Sequence, residues 1–384
     1  MRSLLIPVLI PLAAFAQKDL KLPEPFATPS VRNAPKVIPR PAGIELKVPP
    51  GFAVEEYLAG FERPRYMVLG PSKELLIVDT IPKGIVWLIQ GKDKKKLIEN
   101  LDRPYGMAFW KDYLYVAETS SLKRYKYDAK AMTAGPGEEV VPLQEFSKGN
   151  STRAVLFDRK GEKMYVSIGA EADIETGENP MRAAINRYNP YGTGHEIYAS
   201  GTRNPIGLHL YPGTDTVWIG VEERDVLGDD LVPDFFTHIQ EGGYYGWPYA
   251  YIGQHEDPRF KGARPDLVAK TLTPDVLVPS HSSMLDFAFY TGKQFPKEYQ
   301  GGAFLAWHGS FNRAKRQGYE IAFVPFARGK PSGPPQDFLT GWMTSPDSTD
   351  VWGRPVAVLV MPDGSLLVSD DAGKKVWRIS YKGK

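Results

Sequence analysis

The chain has 384 residues, a formal net charge of +2 at neutral pH and no cysteine. A charge balance this close to zero predicts no nucleic-acid or membrane-surface partner. The missing cysteines exclude disulfides, thiolate catalysis and cysteine-ligated metals, so any stability must come from a large core.

In chain order, residues 1–16 combine Arg2 with an apolar stretch from Leu4 to Phe15 that ends Ala14-Phe15-Ala16. This pattern predicts a secretory signal with an A-x-A cleavage site, and not a spanning helix, because the apolar run is short and holds Pro7 and Pro11. No later stretch is apolar enough to span a bilayer, so the mature chain is expected to be periplasmic or secreted without a membrane span. Residues 17–43 read as a proline-rich lead-in, extended along the body or left flexible.

From residue 44 to 384 a repeat organises the chain. Each copy has a polar or arginine-bearing turn, an apolar strand, a short turn and a second strand. Copies start at Arg63, Arg103, Ser151, Arg203, Ser282 and Arg354. Most are followed by a third strand, such as GIVWLIQ, SLKRYKY or KVWRISY. Six antiparallel units at such spacing predict an all-β fold, a six-bladed β-propeller of four-stranded blades. The segment Ile44 to Gly60 is strand-like and is placed to complete a blade with the C-terminus. A β-sandwich with long insertions accounts for the strands but not for six matched turns.

Aligning the copies puts Arg63, Arg103 and Arg354 at one equivalent position, with Arg153 and Arg203 displaced by one or two residues and His281 with Ser282 in the fifth copy. Guanidinium groups gathered at one mouth of a ring need an anionic ligand or internal carboxylates. Arg63 and Arg103 each follow an acid, Glu62 or Asp102, and are expected to pair locally. Arg203 and Arg354 have no adjacent acid and are the candidates for a ligand.

SGTRNPIGL, ERDVLGDDLVPDFF, EGGYYGWPY, HGSFNR and GRPVAVLVMPDGSLLVSDD, in this order, resemble the sorbosone and soluble glucose dehydrogenase family of pyrroloquinoline quinone (PQQ) enzymes. The resemblance covers nearly all of the chain after the lead-in. It implies a six-bladed propeller with PQQ across the channel mouth and a calcium ion on the quinone oxygens. A sugar or aldehyde would give a hydride to PQQ while a histidine takes the proton. Carried over by position, Arg203 and Asn204 would bind the quinone, Arg354 a carboxylate, and Asn312 and Arg313 a basic cofactor contact. Arg153 joins this cofactor set as a mouth arginine. Backbone carbonyls around Arg224 and Asp225 would face calcium, while GGYYGWPY is read as mainly structural.

The match departs at the third copy, where Asn150 occupies the slot of the proton-abstracting histidine. An amide cannot accept that proton at neutral pH. Glu171 or Asp173 would be a substitute base if the pocket raised its pKa, against the plainer reading of an exposed acidic loop. His281 and His308 lie at blade mouths, and His195, His209, His238 and His255 are expected to lack a catalytic partner. No C-x-x-C-H haem motif occurs, so electrons would need a separate acceptor. The competing expectations are a propeller that binds PQQ or carbohydrate without turnover, and a calcium-dependent lactonase-like hydrolase by fold analogy alone.

Overall fold

The computed structural model describes residues 21–383, so the signal read at residues 1–16 lies outside the described residues. Six four-stranded antiparallel sheets form the ring. Blade 1 runs Pro64–Leu69, Leu75–Asp79, Gly84–Gln90 and Asp93–Leu101; blade 2 runs Met107–Trp110, Tyr113–Ala117, Ser121–Asp128 and Thr133–Pro142. Blade 3 is Val155–Phe157, Met164–Ile168, Ala184–Tyr188 and Glu196–Ser200, extended by the short parallel strand Gly243–Tyr244. Blade 4 is Asn204–Leu210, Val217–Glu222, Asp234–His238 and Val276–Val278, and blade 5 is Met284–Phe289, Ala303–Trp307, Glu320–Val324 and Gln336–Leu339. Blade 6 combines Pro355–Val360, Leu366–Asp370 and Lys375–Tyr381 with Phe52–Ala59. The first strands of successive blades contact one another around the axis, which closes the propeller.

The second strand of each blade is sandwiched between neighbouring sheets, and this explains its sequence. Leu75–Asp79, Met164–Ile168, Ala303–Trp307 and Leu366–Asp370 are buried at every position, so they read as continuous apolar runs and not as alternating ones. The outer strand Thr133–Pro142 is mostly exposed and correspondingly polar. Phe52–Ala59 pairs with Lys375–Tyr381, as the strand-like character of residues 44–60 predicts. Phe52 packs edge-on against Phe295, Tyr299 and Phe338, which locks this closing strand to blade 5.

An aspartate at the end of the second strand sets the entry to the first. Asp79 Oδ1 accepts the Arg63 backbone N–H at 2.9 Å, and Asp370 Oδ1 accepts that of Arg354 at 2.7 Å. The other oxygen accepts an indole N–H, from Trp87 at 2.8 Å and from Trp377 at 3.0 Å. Both carboxylates thereby have their lone pairs used in burial, and each fixes the backbone of the arginine that starts its blade.

Irregular chain concentrates on one rim. Residues 239–275 form an excursion between the third and fourth strands of blade 4, including the hairpin Ala250–Tyr251 with His255–Glu256 and the helical turn Pro265–Val268. The lead-in is an extended strap. Phe26 N–H donates to Leu227 O at 2.8 Å, Thr28 Oγ1 accepts Asp229 N–H at 2.8 Å, and Asn33 N–H donates to Phe311 O at 2.8 Å. Further on, Lys36–Val37 pairs in parallel with Asp350–Val351.

Candidate active site

Loops of blades 3 to 6 enclose a cavity of about 200 Å³ at the mouth of the ring. Asn150 and Arg203 come from the entries to blades 3 and 4, and Glu222, Glu223, Asp225 and Asp234 from the turn between two strands of blade 4. His281 and Ser283 precede blade 5, Gly309, Phe311 and Asn312 follow its second strand, and Arg354 opens blade 6. Gly309 has φ +104°, and a Cβ there would lie 2.3 Å from the Tyr319 ring, so only glycine brings this backbone to the cavity.

Five arginines were expected near this mouth, and their pairing separates them. Arg103 pairs with Asp102 at 3.0 Å, as expected. Arg63 does not turn to Glu62; its Nε meets Asp371 at 3.3 Å, a carboxylate shared with Arg65 and His308. Arg153 is fully buried outside the cavity lining, its two terminal nitrogens donating to the carbonyls of Asn150, Thr152 and Phe146 while its Nε finds no partner among the described residues. Burial, with Arg182 nearby, pushes its pKa down to about 9. Its position is that of a loop support, away from any ligand. Arg203 lines the cavity but finds an acid thirty positions away, Asp173, at 3.0 Å.

Arg354 is different. It donates to the carbonyls of His308 at 3.2 Å and Gly309 at 2.9 Å, and has no carboxylate within 4.0 Å among the described residues. Burial lowers its pKa, and the more distant charges of Asp371 and Glu222 offset that only in part. Such a cation in a cavity wall fits an anionic ligand.

The remaining candidates divide. Asn150 lines the cavity with its amide N–H donated to Ala170 O at 2.9 Å. Asn312 also lines it and donates to Asp225 Oδ2 at 2.8 Å. Asn204 lies just behind, donating to Glu222 at 2.6 Å, with its Oδ1 buried and unpartnered. Arg313 points outward to Asp230 at 2.6 Å and to the Asp229 carbonyl, away from the cavity. Glu171 is half exposed and bound to Arg182 at 3.1 Å, outside the cavity wall, because the Gly149–Asn150 turn packs against its backbone and not against its carboxylate. The Arg224 side chain is fully buried on Glu223 and Asp257, each at 3.0 Å, and on the carbonyls of Pro248 and Ala250, which leaves only its backbone for a ligand.

Sequence reasoning named Asp225 but missed the other acids of this wall, Glu222, Glu223 and Asp234. Glu222 accepts hydrogen bonds from Ser283 Oγ and Asn204, and lies near Asp234. Burial and the Glu222 charge raise Asp234 to about 8, although its two oxygens accept the N–H groups of Glu223 and Ser283 at 2.8 and 2.7 Å. Glu223 gives Oε2 to Arg224 while its Oε1 is buried without a partner, and burial raises its pKa. Glu223 opens the ERDVLGDD run already singled out, so an acid beside the calcium-facing loop was a readable signal.

The histidines at the mouth are engaged. His281 Nδ1 lies 2.9 Å from Asp225 Oδ1 and Nε2 lies 2.9 Å from the Gly228 carbonyl. Both ring nitrogens face acceptors, so the imidazolium satisfies the site; Asp225 and the carbonyl overcome burial and raise its pKa. His308 is the converse case, neutral because burial, with Arg354 adding to it, lowers its pKa to about 3; it lies 2.9 Å from Asp371. His209 and His238 do have carboxylate partners, Asp286 at 2.7 Å and Asp275 at 2.6 Å, but both pairs lie outside the cavity.

A family model described as TrAA12-like matches residues 46–232 and 266–382, interrupted at the blade 4 excursion. The chain belongs to the TrAA12-like family. An uncharacterized protein of Borreliella burgdorferi is 27% identical over 350 residues, covering 88% of this chain and 91% of that protein. The aldose sugar dehydrogenase YliI of Escherichia coli is 30% identical over 173 residues, 40% of this chain and 44% of its own length. Among solved structures, the Trichoderma reesei family AA12 protein superposes with a TM-score of 0.75 at 19% identity, covering 91% of this chain and 98% of that one. The holo PQQ domain of pyranose dehydrogenase from Coprinopsis cinerea gives 0.75 at 20% identity, covering 89% and 98%. These superpositions establish the six-bladed fold, and the resemblance to PQQ sugar dehydrogenases read from the sequence holds.

Proposed function

We propose that this TrAA12-like protein is an exported quinoprotein oxidoreductase that oxidises a sugar or aldehyde, with PQQ and calcium held at the ring mouth. The observation that carries this reading is Arg354, a half-buried guanidinium in the cavity wall that bonds two backbone carbonyls and forms no ion pair within 4.0 Å among the described residues. PQQ is a planar quinone bearing several carboxylates, and when bound it supplies a two-electron acceptor for a hydride. Two relatives, an aldose sugar dehydrogenase and a PQQ-dependent pyranose dehydrogenase, support the same substrate class.

In this reading Arg354 holds a carboxylate by charge-assisted hydrogen bonds. Arg203 is a secondary contact because Asp173 already answers its charge. Asn312 and Asn150 are polar contacts from opposite loops. Among the described residues no three His, Asp or Glu side chains converge as a metal cage. Calcium therefore fits only as an ion seated on backbone carbonyls around Arg224 and Asp225, beside the acidic wall whose surplus negative charge it would offset.

The substrate proton needs an acceptor that Asn150 cannot be. Glu223 is the best placed group, with an unpartnered oxygen, a raised pKa and a position in the cavity wall. It takes the proton from the substrate hydroxyl, and Arg224 beside it limits how far its pKa rises. His281, doubly engaged, holds Asp225 in place. Electrons then leave to a separate acceptor.

The test is reconstitution of the purified protein with PQQ and calcium, followed by absorbance titration and by dye reduction with aldoses and aldehydes. Saturable PQQ binding with sugar-dependent dye reduction is expected. Failure to bind PQQ refutes the reading. Binding without turnover favours the alternative, motivated by Asn150, of a propeller that binds PQQ or carbohydrate without reaction.

A further inference from the structure

Between blades 4 and 5, outside the ring-mouth cavity, lies a second cavity of about 430 Å³. The outer strand of blade 4 contributes Leu277 and Val278, and blade 5 contributes Trp307, Gln317, Glu320 and Asp337. Two of its polar side chains are more than nine-tenths buried and form no side-chain hydrogen bond or ion pair among the described residues. Trp307 is 4% exposed and its indole N–H donates to nothing. Glu320 is 8% exposed and forms no ion pair among the described residues. Burial beside Asp337 pushes the Glu320 carboxyl up to about 8, so at neutral pH it is an uncharged acid that both donates and accepts.

The chemistry of the wall selects the ligand. An anion would face Asp337 and Asp230, and Arg313, the cation of this wall among the described residues, is held by Asp230 and by the Asp229 carbonyl. A cation would find Asp337 and Asp230 but would leave the Trp307 N–H, a donor, without an acceptor. A neutral ring bearing several hydroxyls answers the indole donor, the carboxyl group and the Gln317 amide together, while its C–H face lies on Leu277 and Val278. The aromatic cavity around Tyr244 and Trp247 offers no such demand. There the Tyr244 hydroxyl already donates to Gly246 O at 2.7 Å, and the Trp247 indole to Asp173 O at 3.0 Å.

We propose that the cavity between blades 4 and 5 is a carbohydrate-binding site, taking a neutral sugar ring separate from the molecule that reacts at the ring mouth. It serves to hold the protein, or a longer substrate, by a sugar unit that undergoes no chemistry. The site stands whether or not the mouth is redox active.

Saturation-transfer NMR on the full apo protein tests it, with glucose, cellobiose and maltotriose as probes and choline and spermidine as cationic comparators. Saccharide signals are expected, and Asp337→Ala and Gln317→Ala, both outside the core, should each weaken binding by about tenfold or less. Trp307→Phe should weaken it by about tenfold, and Arg354→Met should leave it unchanged. No transfer from any saccharide overturns the proposal. So does transfer only from choline or spermidine, affinity indifferent to all three cavity substitutions, or loss of binding in Arg354→Met alone, which would place the sugar at the ring mouth.

Discussion

Replacing Arg354 with methionine separates a residue kept for a ligand from one kept for the fold. In the apo protein Arg354 is half-buried, bonded to two carbonyls and without a carboxylate within 4.0 Å among the described residues. Its removal breaks no ion pair within 4.0 Å among the described residues, and Asp371, which feels its charge, keeps Arg63 and Arg65, so the unfolding free energy should change by about 1 kcal/mol. The comparison is Arg224→Met, which strips Glu223 and Asp257 of a partner in a fully buried network. Breaking such a pair costs about 3–5 kcal/mol. Toward an anionic cofactor the order reverses. Arg354→Met forfeits a charged hydrogen bond of about 1.5–3 kcal/mol, roughly 10- to 100-fold in Kd. Urea unfolding of the two apo variants and PQQ absorbance titration of Arg354→Met measure both quantities. An Arg354→Met protein as unstable as Arg224→Met, or one that binds PQQ with wild-type affinity, would refute the reasoning.

The acidic wall makes apo stability depend on pH. Asp234, raised above its unfolded value to about 8, and His281, also raised, each contribute stability that is lost as pH climbs through their folded values. Wild-type apo protein should therefore be less stable at pH 8 than at pH 6. Glu222→Gln removes the charge that raises Asp234 and should reduce that difference by about 1 kcal/mol or more in urea melts; an unchanged pH slope would count against the coupling. Asn150→His places an imidazole in the cavity wall and should raise sugar-dependent dye reduction by about tenfold or more if a base limits the rate. Asn33→Ala removes side-chain bonds to the Arg313 and Ala314 carbonyls and to Arg316. It should cost about 1–3 kcal/mol and speed hydrogen exchange across residues 311–316.

The blades were legible because their physics is local. A fully buried second strand is a continuous apolar run, a turn follows it, and the unit recurs. The closing strand was legible too, since Phe52–Ala59 had strand character and no partner nearby in sequence. The site was only partly legible because its electrostatics are long-range. Arg63 and Arg354 occupy equivalent entry positions, yet Asp371 lies 308 positions from one and bonds it, while the other bonds only the carbonyls of His308 and Gly309. Arg203 looked unpaired until Asp173 was brought beside it. Arg153 and Arg313 fell in the right segments but are spent on backbone carbonyls and on Asp230, choices made by side-chain direction and not by spacing. The acids Glu222 and Asp234 converge from two strands of blade 4 and carry no motif of their own.

The ring's last joint is made between its two sequence ends. Lys375 bonds Glu56 across a separation of 319 positions, and no earlier pairing can substitute for it. Until residues 375–381 arrive, the nascent polypeptide is an open arc whose terminal blade lacks a strand, with unpaired backbone edges at both ends. Contacts of such sequence separation form late and slowly. A chain with this order of assembly closes its ring only when the strand Lys375–Tyr381 meets Phe52–Ala59, so every blade made before it waits on that one pairing.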